Sequence, residues 1–239
     1  MKYRYILFDL DGTLLPMDQE VFTKYYFGLL AKKLAPLGYQ PEQLVDSIWK
    51  GTAAMVKNPG EKTNEAVFWD TFSLLLGEHV RKDEPVFDEF YRTDFHGAKA
   101  ACGFNPKAAE TVAHVKALGL RTTLATNPIF PAIATENRIE WAGLNKEDFE
   151  LYTTYENSYH SKPNPAYYQD IMNKLNVQPQ ECLMVGNDVK EDMVTAKLGM
   201  KVFLLTDCLI NKEGADISAY PSGGFDQLNA YLDELVKDA

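Results

Sequence analysis

The chain has 239 residues and a mass of 27.0 kDa, with 46% hydrophobic and 24% charged residues. That is enough for one large domain, or a core domain with a smaller insert, and it excludes a chain disordered throughout. The formal net charge is −10 and the pI is near 4.9, so nucleic acid and anionic membranes are repelled, and an anionic ligand needs a local positive site.

The first element is Tyr5–Phe8, a short apolar and aromatic run that ends in Asp9 and Gly12. It predicts a strand buried on both faces and followed by a loop. From about Asp18 to Phe95 there is almost no strand signal. Phe22, Tyr26, Leu29, Leu30 and Leu34 recur at helical spacing behind a candidate cap, Asp18. Leu44, Val45, Ile48 and Trp49 follow, with Pro41 placed for a first helical turn. Asn64 is read as the cap of a third helix carrying Phe68, Trp69, Phe72, Leu75 and Leu76, and a fourth follows Pro85 with Phe87, Phe90 and Tyr91. The stretches around Pro36–Gly38, Asn58–Gly60 and Lys82–Pro85 are the breaks.

After about Gly97 the pattern becomes strand–helix alternation. Asn105-Pro106 starts a helix that ends at Gly119, and Leu120–Ala125 is a strand closed by Thr126-Asn127-Pro128. A helix with Ile133 and Trp141 comes next, then a weak strand near Leu151–Thr153. Asn164-Pro165 caps a helix containing Ile171 and Leu175; Cys182–Val185 is a strand ending at Gly186-Asn187-Asp188. A further helix runs to Leu198, Val202–Leu205 is a strand, and Phe225–Leu235 is a final helix. Repeated βα units of this length imply a doubly wound parallel sheet with helices on both faces. The expected organisation is an α/β core of residues 1–16 plus 98–239, with an inserted α-helical cap domain at 17–97.

Ligands of an open parallel sheet bind beyond the carboxyl ends of its strands. Asp9 and Asp11 follow the first strand, Thr126 and Asn127 the second, and Asp188 and Asp192 the fourth; Lys162 precedes the helix capped by Asn164. Four carboxylates cannot all be ionised together without a cation. Hard oxygen ligands select Mg²⁺ or Ca²⁺, and Mg²⁺ typically takes one or two carboxylates, waters and a substrate phosphate. With a cation and Lys162 the pocket turns locally positive, and Gly12 permits the tight turn that brings backbone N–H groups toward a phosphoryl oxygen.

"DLDGT" after a strand, "TN" after the next, "SKPNPAYY" and "GNDVKED" resemble the four motifs of the haloacid dehalogenase-like superfamily of hydrolases, and the helical block resembles the cap that one branch inserts after the first motif. The resemblance covers residues 1–16 and roughly 98–239. It implies a phosphatase that hydrolyses a small-molecule phosphate monoester with Mg²⁺ through an aspartyl-phosphate. Asp9 maps onto the nucleophile and Asp11 onto the general acid and base. Thr126, Asn127 and Lys162 map onto the phosphate-binding groups, and Lys162 also onto stabilisation of the transferring oxygens. Asp9, Asp11, Asp188 and Asp192 map onto the metal site, with Asp192 acting through water or holding Lys162. The commonest fourth motif has an acid directly after its glycine, whereas Asn187 stands there; Asp188 is preferred because it keeps a four-residue spacing to Asp192 on one helical face.

The alternatives are a phosphosugar mutase of the same superfamily, a non-enzymatic phosphoaspartate module, and a haloacid dehalogenase, which Asp11 opposes. The partner expected is a small phosphorylated metabolite, with no nucleic acid and no membrane, for a monomer or weak homo-oligomer. Cys102, Cys182 and Cys208 lack metal spacing and fit reduced thiols in a cytoplasm. Asp9 breaks the apolar N-terminus too early for a signal peptide. The histidines read as structural or surface groups, with His160 notable for lying two residues before Lys162, and the aromatics Phe22, Tyr26, Trp49, Phe68 and Trp69 read as the cap's own core.

Overall fold

The computed structural model describes residues 3–237. Its sheet has six parallel strands: β1 (Tyr5–Phe8), β2 (Arg121–Leu124), β3 (Leu151–Tyr152), β4 (Cys182–Gly186), β5 (Lys201–Leu205) and β6 (Ser222–Gly223). Their order is β3-β2-β1-β4-β5-β6. The chain leaves β1 for one side of the sheet and later returns to the other, so β1 lies at the switch point where such sheets open a crevice. All four residues of β1 are buried, because the sheet has an apolar cluster on each face. Ile6 and Phe8 join one cluster, and Tyr5 and Leu7 the other, as a two-residue side-chain period requires.

Eight α-helices surround the sheet among the described residues: α1 (Gln19–Leu34), α2 (Pro41–Val56), α3 (Asn64–Leu76), α4 (Glu84–Arg92), α5 (Pro106–Ala117), α6 (Ala132–Trp141), α7 (Pro165–Leu175) and α8 (Phe225–Lys237). The caps explain most boundaries. Asp18 Oδ1 accepts from the N–H groups of Glu20 and Val21, both at 2.9 Å, which starts α1. Asn105 and Asn164 do the same for α5 and α7, each with proline at the first helical position. No helix among the described residues is long and apolar enough to cross a membrane.

Two expectations need correction. Asn64 does not cap α3; the Thr63 hydroxyl does, accepting from Ala66 N–H at 3.2 Å. Asn64 is fully buried and ties three segments together. Its Nδ2 donates to the Pro128 carbonyl (3.1 Å) and Ser161 Oγ (3.0 Å), and its Oδ1 accepts from Asn58 (2.8 Å). A buried amide with partners on three loops is worth more there than at an exposed helix end. The segment before Gly199 is not an α-helix but a 3₁₀ turn, Met193–Leu198, closed by Gly199 in the left-handed region. The sixth strand, β6, carries no sequence signal: two residues are too short to show a period, and their pairing with Leu204 and Leu205 is a tertiary fact.

Helices α1 to α4 and the 3₁₀ segment Asp94–Ala101 bring Phe22, Tyr26, Phe72, Phe90 and Phe95 into the same apolar cluster that covers Ile6 and Phe8. The aromatic rings meet edge to face, as at Phe22–Phe95 (6.2 Å between centroids, 89° between planes) and Phe72–Phe87 (5.7 Å, 90°). This geometry lets ring edges meet ring faces of opposite partial charge.

Candidate active site

Strand register assembles the site. Phe8 pairs with Leu124 and with Val185, so β1, β2 and β4 end level. Asp9 N–H donates to the Val185 carbonyl at 2.9 Å, and Ala125 N–H to the Phe8 carbonyl at 2.7 Å. The residues that follow, Asp9, Thr126 and Asn187, therefore emerge side by side. All three line one cavity of about 240 Å³, together with Asp11, Asn127, Asp188 and Asp192. Lys162 lies beneath this floor, 1% exposed.

Lys162 Nζ donates to Asp9 Oδ1 and to Asp192 Oδ1, each at 2.7 Å. Burial by itself would lower the lysine, but Asp192 and Asp9 outweigh it and hold the ammonium well above its ordinary pKa. Burial pushes the Asp192 carboxyl up, against the pull of Lys162. The other Asp192 oxygen accepts from Asp188 N–H at 3.0 Å. Both oxygens of Asp192 are thus engaged in positioning. A Cβ on Gly186 would stand 2.1 Å from Asp192 Oδ2, so only glycine lets this carboxylate tuck under the strand end.

Thr13 Oγ1 lies 3.0 Å from both Asp9 Oδ2 and Asn187 Oδ1, linking the first and fourth motifs. Gly12, at φ +86°, makes this possible: a Cβ there would stand 2.3 Å from Asn187 Nδ2. Asp188 Oδ1 caps its own turn, accepting from Lys190 N–H (2.8 Å) and Glu191 N–H (3.0 Å). Asn187 therefore sits closer in the bonding network to Asp9 than Asp188 does. Thr126 is positioned through its carbonyl, which accepts from the Tyr167 hydroxyl (2.8 Å) and Thr153 Oγ1 (2.7 Å). The Tyr168 hydroxyl donates to the Glu191 carbonyl at 2.7 Å. Asn127 Nδ2 donates to both Glu191 carboxylate oxygens at 3.3 Å. Burial pushes Glu191 up to about 7.

Sequence reasoning missed Arg138. This fully buried arginine, on α6, pairs through its Nη1 with Asp11 Oδ2. Its Nε donates to the Ala134 carbonyl at 3.1 Å, and its guanidinium sits 4.4 Å from the centroid of Phe130. The signal was present: Ala134, Arg138 and Trp141 recur at helical spacing on the buried side of α6, where an arginine needs a partner. Burial raises the Asp11 carboxyl, Arg138 opposes, and Asp9 adds to the rise. The other missed residues are Thr13, Tyr167, Tyr168 and Glu191. His160 is accounted for by Asp170, 2.7 Å away, and does not line the cavity.

The floor carries five carboxylates, those of Asp9, Asp11, Asp188, Glu191 and Asp192, against Lys162 and Arg138. Asp11 Oδ1 is buried without a hydrogen-bond partner. An excess of acid and an orphaned oxygen suit a hard divalent cation. Among the described residues no group of three or more acidic, histidine or cysteine side chains forms a complete cage, and Mg²⁺, which keeps waters and shares substrate oxygens, does not require one.

The family model described as haloacid dehalogenase-like hydrolase matches residues 3–199. The chain is 29% identical over 196 residues to a phosphoglycolate phosphatase of Vibrio parahaemolyticus, covering 80% of this chain and 78% of that one. It is 26% identical over 188 residues to the pyrophosphatase PpaX of Bacillus cereus, covering 79% and 76%. Among solved structures, a phosphatase of the family from Thermococcus onnurineus superposes with TM-score 0.58 at 18% identity, over 96% of this chain and 97% of that one. A 2-haloacid dehalogenase from Pseudomonas syringae superposes with TM-score 0.62 at 18% identity, over 98% and 99%. These structures share the fold. The converging strand ends and the match over most of the chain lead to one conclusion: this protein is an enzyme of the haloacid dehalogenase-like hydrolase family.

Proposed function

We propose that this enzyme hydrolyses the phosphate monoester of a small metabolite, with Mg²⁺, through a phosphoaspartate on Asp9. The observation that carries the reading is Asp9 itself: a carboxylate at the sheet's switch point, held by Lys162 at 2.7 Å, with Asp11 two residues on and facing the same cavity. An Asp9 oxygen attacks phosphorus, and the bond from phosphorus to the ester oxygen breaks. Asp11 gives its proton to the departing alkoxide, so a neutral alcohol leaves. Asp11 then takes a proton from water as that water attacks phosphorus, and phosphate departs as the Asp9–phosphorus bond breaks. Lys162 offsets charge on Asp9 and on the transferring oxygens, while Thr126 and Asn127 hold the phosphoryl group.

Mg²⁺, when bound, screens the acidic floor from the phosphate and stabilises charge on its oxygens. The Asp9 and Asp188 carboxylates and the Asp11 backbone carbonyl would hold it, with the Asn187 amide oxygen beside them. Asp192 acts by holding Lys162. Residues 17–97 act as a cap domain that excludes water and reads the leaving group, over a core of 1–16 and 98–239. The free thiols of Cys102, Cys182 and Cys208 suit a cytoplasmic enzyme.

The test is phosphate release from a panel of small phosphomonoesters, with Mg²⁺ and with chelator, for wild type and Asp9→Asn. Release that needs Mg²⁺ and vanishes in the variant is expected, with a phosphoryl group on the Asp9 peptide after acid quench. Release that resists chelator and survives in Asp9→Asn would overturn the reading.

A further inference from the structure

The floor of the cavity is charged, but its wall is not. Ten aromatic side chains line it, contributed by α1 to α4 and by the loops that carry Phe130 and Tyr155. Among the described residues, no lysine, arginine or histidine lines it. Arg138 and Lys162, the cations nearest the site, are already paired to Asp11 and to Asp9 and Asp192. Trp49 is the unusual member. It touches Phe27 edge to face, at 5.5 Å and 66°, and lines the cavity, yet stays 52% exposed, so about half of its surface is left uncovered by protein. Besides the hydroxyls of Tyr26, Tyr91 and Tyr155, the polar groups on the same wall are those of Thr23, Thr52, Gln19 and Asp88.

This wall rejects an anionic leaving group. A carboxylate or a second phosphate would lose its water against ring faces that are themselves negative, and would meet Asp88 in place of a counter-charge. The same wall accepts a flat uncharged ring, and its hydroxyl, amide and carboxylate groups accept or donate to sugar-type hydroxyls. We propose that the substrate is a nucleoside monophosphate, with its base stacked on Trp49 and its sugar hydroxyls held by the polar groups of the wall. Such a compound joins a phosphate, a hydroxylated linker and a neutral aromatic ring. The proposal rests on the phosphatase reading of the floor and departs from the names of the two relatives, phosphoglycolate phosphatase and pyrophosphatase.

The experiment compares kcat/KM for UMP and AMP with that for 2-phosphoglycolate, pyrophosphate and glycerol 3-phosphate, all with Mg²⁺. The nucleotides are expected to lead each of the other three by about tenfold or more, the scale of one aromatic stacking contact. Trp49→Ala should shrink the ratio of UMP to glycerol 3-phosphate by raising KM for UMP, and Trp49→Phe should keep most of it. A lead for phosphoglycolate or pyrophosphate, or glycerol 3-phosphate level with UMP, overturns the substrate class and leaves the phosphatase reading standing. An unchanged ratio in folded Trp49→Ala overturns the stacking site. No phosphate from any ester overturns both readings.

Discussion

The floor and the wall of the cavity come from different parts of the chain and keep their shapes by different forces. The floor is a set of charges at the level ends of β1, β2 and β4, where Lys162 bridges Asp9 and Asp192 and Arg138 holds Asp11. Each buried charge is costly unless paired, so the pairs leave little freedom and the geometry is stiff. The wall is made mostly of rings on helices, held by dispersion and ring contacts, with cations touching it only at its edges, Arg138 at Phe130 and Arg81 at Trp69. Away from Phe130, Trp69 and the Tyr26–Tyr91 pair, such a surface can change a ring without stranding a charge or a polar group. The difference suits the proposed division of labour, with chemistry on the rigid part and recognition on the adaptable one.

The comparison can be broken most directly at Asp9. Asp9→Asn is expected to lower turnover by about 10⁴-fold or more while the urea midpoint stays near wild type; near-normal turnover would remove the floor from the chemistry. Next is Lys162→Ala, which should cost about 3–4 kcal/mol of transition-state stabilisation, read as a fall in kcat of about 10²–10³. Arg138→Met tests whether a buried pair positions Asp11. It should lower unfolding free energy by about 1–3 kcal/mol, because it leaves the half-buried Asp11 carboxyl without its partner, and should lower kcat more than it changes KM. Unchanged stability and kcat would make the pair incidental.

Asn64→Ala sharpens the comparison where wall and floor meet, since Asn64 on α3 bonds to the loops that carry Thr126 and Lys162. Denaturation should show a loss of about 2 kcal/mol from the unpaired groups left behind. The smallest effect belongs to the outer surface of the helical layer. There Lys62, helped by Arg81, holds the Asp70 carboxyl below its ordinary value. Its contribution is present above the ordinary carboxylate pKa and is lost as pH falls through the depressed one. Asp70→Asn should therefore destabilise by under about 1 kcal/mol at neutral pH, and its melting temperature should converge with that of wild type in acid. A gap that persists in acid would point to packing in place of charge.

Much of this molecule follows from local sequence. The run Tyr5–Phe8 is apolar throughout, so it had to lie in a covered sheet, and the turn residues after it placed Asp9 and Asp11 at a strand end. Asp18, Asn105 and Asn164 act as helix caps because a side-chain oxygen next to free N–H groups is a local interaction that needs no distant partner. The resemblance of four short motifs was legible for the same reason: each is a turn with fixed local chemistry.

What only the tertiary structure decided involves partners far apart in the chain. Arg138 was not singled out in the sequence, because its partner Asp11 lies 127 residues away and only the packing of α6 brings the two together. Asn64 looked like a cap until folding surrounded it with Asn58, Pro128 and Ser161. The aromatics were read as core, and Phe22, Tyr26 and Trp69 are indeed buried, yet all three also line the cavity, while Trp49 stays half exposed on it. A ring's hydrophobicity is a property of the residue, but which face meets protein and which meets a cavity depends on how two layers dock. Helical spacing carries no information about that.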